Sequence, residues 1–266
     1  MTAPHPFTIA HDGIQMRVLA MGQGEPVVFV HGFGGDASSW FFNTRPLAQR
    51  FRVYAVDLPG FGASTKTARG AILPFYSEWL ERLLDLNGHA AAHIVGNSMG
   101  GAVCLHLALE RPGRVNRLVL VDPAGLGRDG NAEFLRAMIA ARTRDEARAA
   151  LATVLHNPAL LMPEIVERFL RYKRQPGAQA VMEQVGAQLA AMRGGAVDFL
   201  PRLPSVRART LVVWGREDRV LPAAHAENAR AIPGARIHIF DGCGHVPQLE
   251  AAEAFNMLLF EFLTNP

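Results

Sequence analysis

Gly96-Asn97-Ser98-Met99-Gly100 is the stretch on which the fold turns. It follows the apolar run His93-Ile94-Val95 and precedes Gly101 to Leu109, a helix-forming segment. A strand that breaks sharply into a helix forces the residue at the break into strained backbone. Glycines on either side leave room for strand and helix to approach each other. A serine at that break has its hydroxyl lifted clear of the main chain, the arrangement of a nucleophile elbow. A free serine hydroxyl is a weak nucleophile, so a base and an orienting acid must come from elsewhere in the chain.

On either side of the elbow, short β-branched runs alternate with helical patterns. Phe7-Thr8-Ile9 and Ile14 to Leu19 predict a hairpin turned at Asp12-Gly13. Buried strands are predicted at Pro26 to Val30, Arg52 to Val56, His93 to Val95, Arg117 to Val121, Thr210 to Trp214 and Arg236 to Phe240. All but the last are continuous apolar runs, as a sheet covered on both faces requires. Helices are predicted over Ser77 to Leu86, Met99 to Leu109, Ala223 to Ala231 and Ala251 to Leu263. This is an α/β layout with a mostly parallel central sheet and helices on both faces. From Leu126 to about Val206 no strand is predicted; helical patterns are punctuated at Asn157-Pro158, Met162-Pro163, Pro176-Gly177 and Gly194-Gly195. The expected organisation is a core of residues 1–125 and 207–266, with residues 126–206 a helical cap over the carboxyl ends of the strands, where open α/β sheets bind ligands.

Two downstream motifs supply the missing chemistry. Gly215-Arg216-Glu217-Asp218 follows one strand, and Gly242-Cys243-Gly244-His245 follows the next. His245 is the candidate base that takes the proton from Ser98, and Asp218 the candidate acid that holds the imidazole tautomer. The oxyanion formed by attack needs preorganised N–H donors. The backbone amide of Met99 is one candidate, and that of Phe33, in His31-Gly32-Phe33-Gly34-Gly35, is the other, with Gly34 the fallback. His31 is read as shaping that loop by hydrogen bonding. Asp122, Asp241, Ser64, Cys104 and Cys243 are read as structural, although Asp122 also ends a strand. Phe33, Trp40 and residues around Met138, Leu161 and Phe169 are candidates for the acyl pocket or for ordinary packing.

Composition narrows the classes. The 266 residues are 49% hydrophobic, enough for one sizeable domain carrying an insertion. Basic residues number 27 against 24 acidic, with no dense basic stripe, so no nucleic-acid partner is expected. Two cysteines make a disulfide scaffold or a zinc site an unsupported reading. Met1 to Asp12 does not read as a signal peptide, and no apolar run approaches the roughly 18 residues of a membrane span. The expectation is a cytoplasmic protein acting on a small molecule, without membrane partner, metal or organic cofactor, as a monomer or homodimer.

The motifs HGFGG (His31 to Gly35), DLPGFGAS (Asp57 to Ser64), GNSMGG (Gly96 to Gly101), GREDRV (Gly215 to Val220) and GCGHVPQLE (Gly242 to Glu250) resemble those of the α/β-hydrolase superfamily over nearly the whole chain. The resemblance implies that fold, with Ser98, Asp218 and His245 as its triad. Serine at the elbow separates the chain from haloalkane dehalogenases and epoxide hydrolases, whose elbows carry aspartate. GNSMGG and GREDRV resemble the meta-cleavage-product hydrolases, which break carbon–carbon bonds. Those enzymes usually carry proline in the oxyanion loop and tryptophan after the catalytic histidine, where this chain has Gly35 and Val246. HGFGGDASSWFFN (His31 to Asn43), DPAGLG (Asp122 to Gly127) and FLRYKRQPG (Phe169 to Gly177) resemble the catalytic domain of acetoin-dehydrogenase-type dihydrolipoamide acetyltransferases. Those proteins carry an N-terminal lipoyl domain, whereas here Pro26 already opens the core sheet, so a free-standing enzyme is expected. The function expected is hydrolysis of a small carboxylic ester or thioester. Carbon–carbon cleavage and acyl transfer to a thiol are the alternatives, and a non-catalytic receptor is the reading the intact triad argues against.

Overall fold

The computed structural model describes residues 4–265. Met1 to Ala3 and Pro266, which the sequence reading places in the core and at a start without a leader, lie outside the described residues. Eight strands, β1 (His5–His11), β2 (Ile14–Met21), β3 (Pro26–Val30), β4 (Arg52–Val56), β5 (Ala92–Asn97), β6 (Val115–Val121), β7 (Arg209–Gly215) and β8 (Arg236–Phe240), form one sheet in the order β1-β2-β4-β3-β5-β6-β7-β8. β1 and β2 are the predicted hairpin. Asp12 (φ 49°) and Gly13 (φ 74°) both adopt the left-handed backbone that its two-residue turn requires. β2 pairs antiparallel with β4, and every later pairing is parallel.

The continuous apolar runs now have a cause: alternate residues of each strand enter opposite cores. Val28 and Val30 of β3 join the cluster beneath α2 (Ile72–Leu86) and α3 (Met99–Glu110) on one face. Val27 and Phe29 join the cluster on the other face, with Leu47 of α1 (Phe41–Leu47) and Phe255, Leu259 and Phe262 of the C-terminal helix. β8 reads less cleanly because it is the sheet's edge, with only intermediate or exposed residues.

Between β6 and β7 the chain contains only helical segments: α4 (Ala132–Ala140), α5 (Arg144–Ala152), α6 (Pro163–Lys173), α7 (Ala178–Arg193) and shorter turns. The chain ends in α8 (Pro247–Glu250) and α9 (Ala252–Thr264). The helical segment is tied to the sheet by Tyr172, whose hydroxyl donates to Gly60 O at 3.0 Å while its ring stacks on Phe61. Gln188 also accepts from Ile72 N at 2.9 Å, capping α2.

Three local expectations change. α2 begins at Ile72 rather than Ser77, because Pro74 lies in the first turn, where its missing N–H costs no helical bond. Ala37–Trp40 and α1 are helical where the sequence reading has none; Asp36 caps the first by accepting from Ser38 N. Ala223–Ala231 is a run of 3₁₀ turns, not the predicted α-helix. Its buried residues are His225, Ala226 and Ala229, and the three-residue step from Ala226 to Ala229 continues to the buried C-cap Ile232, a spacing that three residues per turn keeps on one line.

The chain crosses from β4 back past β3 to β5, so the strand order reverses between β3 and β5. That crevice, outside the carboxyl ends of parallel strands, is where such sheets leave room for a ligand. The loop His31 to Gly35, the elbow and Asp122 all emerge there, directly after β3, β5 and β6. No helix among the described residues is long and apolar enough to cross a membrane.

Candidate active site

Ser98 stands between β5 and α3 with φ 55° and ψ −117°, backbone that non-glycine residues rarely adopt. The strain is held by its neighbours: Ser98 N donates to Val121 O at 2.9 Å, and Ser98 O accepts from Ala102 N and Ala124 N. Gly100 is required by close approach, since a Cβ there would meet the carbonyl oxygens of Val30 and His31. Gly32 also lies against the elbow; a Cβ there would sit 3.1 Å from Ser98 Cβ.

His245 and Asp218 come together from loops after β8 and β7. His245 Nδ1 and Asp218 Oδ2 are 2.7 Å apart, and both side chains are buried. Trp214 Nε1 donates to the same Oδ2 at 3.1 Å, and Val220 N and Leu221 N donate to Oδ1 at 2.7 and 3.0 Å. Burial alone would raise the Asp218 pKa, but His245 and these amides together hold it below the ordinary aspartate value. An ionised carboxylate can only accept, so Nδ1 carries the imidazole proton and Nε2 keeps its lone pair. Nε2 is buried and has no hydrogen-bond partner among the described residues. Asn97 fixes the base to the elbow: its Nδ2 donates to Val121 O and to His245 O, each at 3.1 Å. In the sequence Asn97 is legible only as the residue before Ser98 in the elbow; the pattern has no signal for a bond across 148 residues.

Phe33 and Met99 flank Ser98 in the same cavity. Their amides donate to no group among the described residues, as expected of a loop amide and the first amide of a helix. His31 holds the loop: Nδ1 lies 2.7 Å from Gly32 O, and Nε2 accepts from Leu58 N at 3.1 Å. Burial lowers its pKa, so the ring is a neutral brace. Trp40 is not near the cavity; it packs on Phe29 and Phe255 in the opposite core. Met138, Leu161 and Phe169 do line the cavity. Asp241 is exposed and pairs with Arg216, and Cys104 is buried in the core.

Asp122 is the second strand-end carboxyl. It is fully buried with φ 43°, accepts from Gly215 N at 2.9 Å, and leaves Oδ2 without a partner. Burial first, then the charge of Asp218, push its pKa well above the ordinary value, which favours its protonated form. Asp122, Asp218 and His245 offer ligand atoms within 4.8 Å of one another. Asp218 is already saturated by donors and the environment of Asp122 disfavours its charged form, so the cluster suits a proton better than a cation. Asparagine mimics a neutral carboxyl, so Asp122→Asn is expected to keep kcat/KM within a few-fold. An aspartate whose native pKa is raised stabilises the fold fully below its unfolded pKa, and that contribution is lost as pH rises toward the native value. Wild type should therefore lose stability relative to Asp122→Asn above about pH 4, by up to ~1.4 kcal/mol per pH unit, in paired thermal melts.

Two lobes of the cavity meet at Ser98, Phe33 and Phe134. The smaller and narrower lobe includes Met99 and is walled by Leu189, Met192, Arg193 and Leu221. The larger includes His245 and Asn97 and runs out past the exposed Phe41, Phe42 and Met162. Arg168 of α6 and Asp36 face each other across it at 3.5 Å. Phe134, Arg193 and Leu221 went unnoticed in the sequence because nothing in a helical or loop pattern marks which side chain faces a cavity.

Residues 25–252 match the family described as alpha/beta hydrolase fold. The chain is 39% identical over 255 residues to the dihydrolipoyllysine-residue acetyltransferase component of the acetoin cleaving system of Cupriavidus necator, covering 95% of this chain and 67% of that protein. It is 34% identical over 263 residues to a 2-hydroxy-6-oxo-6-phenylhexa-2,4-dienoate hydrolase of Burkholderia cepacia, covering 92% and 89% of the two chains. Among solved structures, the enzyme of that same name from Rhodococcus sp. strain RHA1 superposes with a TM-score of 0.89 at 27% identity, over 99% of each chain.

Proposed function

The chain belongs to the alpha/beta hydrolase fold family, and from that membership we propose that it is a serine hydrolase cleaving a carboxylic ester or thioester through an acyl-enzyme on Ser98. The observation that carries the reading is the 2.7 Å pair of Asp218 and His245, whose free Nε2 belongs to the cavity that Ser98 lines. His245 Nε2 takes the Ser98 proton as Oγ attacks the carbonyl carbon. Asp218 keeps the proton on Nδ1 and stabilises the imidazolium. The amides of Phe33 and Met99 receive the oxyanion, each worth on the order of 3–4 kcal/mol in the transition state. His245 then protonates the departing alcohol or thiol, and water repeats the sequence on the acyl-enzyme.

The two lobes take different halves of the substrate. His245 lines the larger lobe and not the smaller. A general acid must face the group it protonates, so the leaving group occupies the larger lobe. The acyl group enters the smaller one, beside Met99. Residues 126–206 act as the cap that closes over both, on a core formed by 1–125 and 207–266.

A second reading is acyl transfer to a thiol. It is favoured by the open larger lobe, which admits a long acceptor, and by the acetyltransferase name of the Cupriavidus relative. One assay separates the readings: p-nitrophenyl esters from acetate to long acyl chains, with and without dihydrolipoamide or coenzyme A. Release of free acid, peaking at one chain length and indifferent to thiol, is the expected result. Formation of acyl-thiol in preference to acid would make the protein a transferase. If no ester turns over while a ring-cleavage dienoate does, the bond cleaved is carbon–carbon.

A further inference from the structure

Arg193 ends α7 and contributes to the smaller lobe, together with Ser98. Its guanidinium packs over Gly130 and beside Leu221; a Cβ on Gly130 would lie 2.9 Å from both Cζ and Nε of Arg193. Its Nη1 is buried and has no partner, and no hydrogen bond or ion pair to Arg193 occurs among the described residues. Burial alone acts on it, lowering its pKa with no carboxylate to oppose that. Asp129, next in sequence to Gly130, faces solvent and pairs instead with His225. Apart from Ser98, every other side chain lining this lobe is apolar. Arg193 as a whole is half-buried, but its Nη1 end is shut off from water, and a buried N–H of a cation left without a partner is costly unless an anion fills the place.

We infer that the smaller lobe is a subsite for an acyl group that ends in a carboxylate, read by Arg193, so that the substrates are monoesters or monothioesters of short dicarboxylic acids. The inference rests on the acyl-enzyme reading for its placement of the acyl group. In the reaction, Ser98 Oγ bonds to the ester carbon and the carbon–oxygen or carbon–sulfur bond breaks. The Ser98 proton passes through His245 to the alcohol or thiol. Water then splits the acyl-serine, releasing the dicarboxylate and one proton. The distal carboxylate is unchanged throughout; bound to Arg193, it fixes the length of chain that reaches Ser98.

The test pairs p-nitrophenyl pentanoate with mono-p-nitrophenyl glutarate, which has the same number of acyl carbons, and adds the succinate and adipate monoesters to find the reach. Wild type, Arg193→Met and Arg193→Lys are compared. Wild type should prefer a carboxylate-ended ester. Arg193→Met should lose roughly 10- to 100-fold in kcat/KM for that ester, as expected for a charge-assisted hydrogen bond, and less than about 3-fold for pentanoate. Arg193→Lys should recover part of the loss. The same pairs are titrated onto Ser98→Ala, with and without Arg193→Met, to read binding without turnover. Arg193-dependent binding of the monoester to Ser98→Ala, with no turnover of any ester by wild type, would uphold the subsite and overturn the hydrolase reading. Turnover of both esters with no carboxylate preference, or equal losses on both in Arg193→Met, overturns the subsite and leaves the hydrolase reading standing.

Discussion

Ser98→Ala is expected to lower kcat by about 10⁴- to 10⁶-fold on whichever ester the wild type hydrolyses best. The loss is large because in the proposed mechanism Oγ forms the acyl-enzyme bond, and no other hydroxyl stands at the strained turn between β5 and α3. The fold should survive. Ser98 Oγ makes no hydrogen bond among the described residues, and the bonds that hold the turn are made by main-chain atoms. Thermal stability should shift by less than about 1 kcal/mol. Steady-state and single-turnover rates, beside a melt of each protein, give the answer. A mutant that keeps more than a few per cent of wild-type turnover removes Ser98 from the mechanism.

Asp218→Asn should cost about 10⁴-fold in kcat with the loop in place. The amide can keep Oδ1 toward Val220 N and Leu221 N, which donate to the carboxylate. Its NH₂ then faces His245 Nδ1 and the indole N–H of Trp214, which both point at Oδ2. A donor opposite Nδ1 drives the imidazole to the tautomer protonated at Nε2, which cannot accept the Ser98 proton. The indole is left facing a second donor, so stability falls as well. Asp218 has a depressed native pKa, so its contribution is present above its unfolded pKa and is lost as pH falls through the native value. The stability gap between wild type and Asp218→Asn should therefore be widest at neutral pH and close below about pH 4. If Asp218→Asn retains activity and Asp122→Asn abolishes it, the orienting acid is Asp122.

Much of this architecture is written in local patterns. The hairpin at Asp12-Gly13, the five continuous strands and the elbow follow from turn chemistry, apolar periodicity and the room that glycine leaves. The departures have equally local causes. Pro74 disguises the first turn of α2, and the three-residue step from Ala226 to Ala229 and on to the C-cap Ile232 suits 3₁₀ turns as readily as it suits an α-helix by eye. Trp40, attractive as a pocket aromatic because it follows the oxyanion loop, turns into the opposite core against Phe255.

Local pattern alone picks out the residues able to do chemistry and the strand ends at which they stand, because a sharp turn, a buried strand and a helix start are each dictated by a few neighbouring side chains. Packing of distant segments brings Asp218 within 2.7 Å of His245, as the motif order leads one to expect, and adds what no local pattern carries: Asn97 holds the His245 carbonyl, and Arg193 places a buried, unpartnered Nη1 in the lobe that Ser98 lines. Those relations depend on strand order and on how separated segments pack: Asp218 and His245 are 27 residues apart, Asn97 and His245 148. Distances across a packed crevice have no period and no local signature in the chain that makes them.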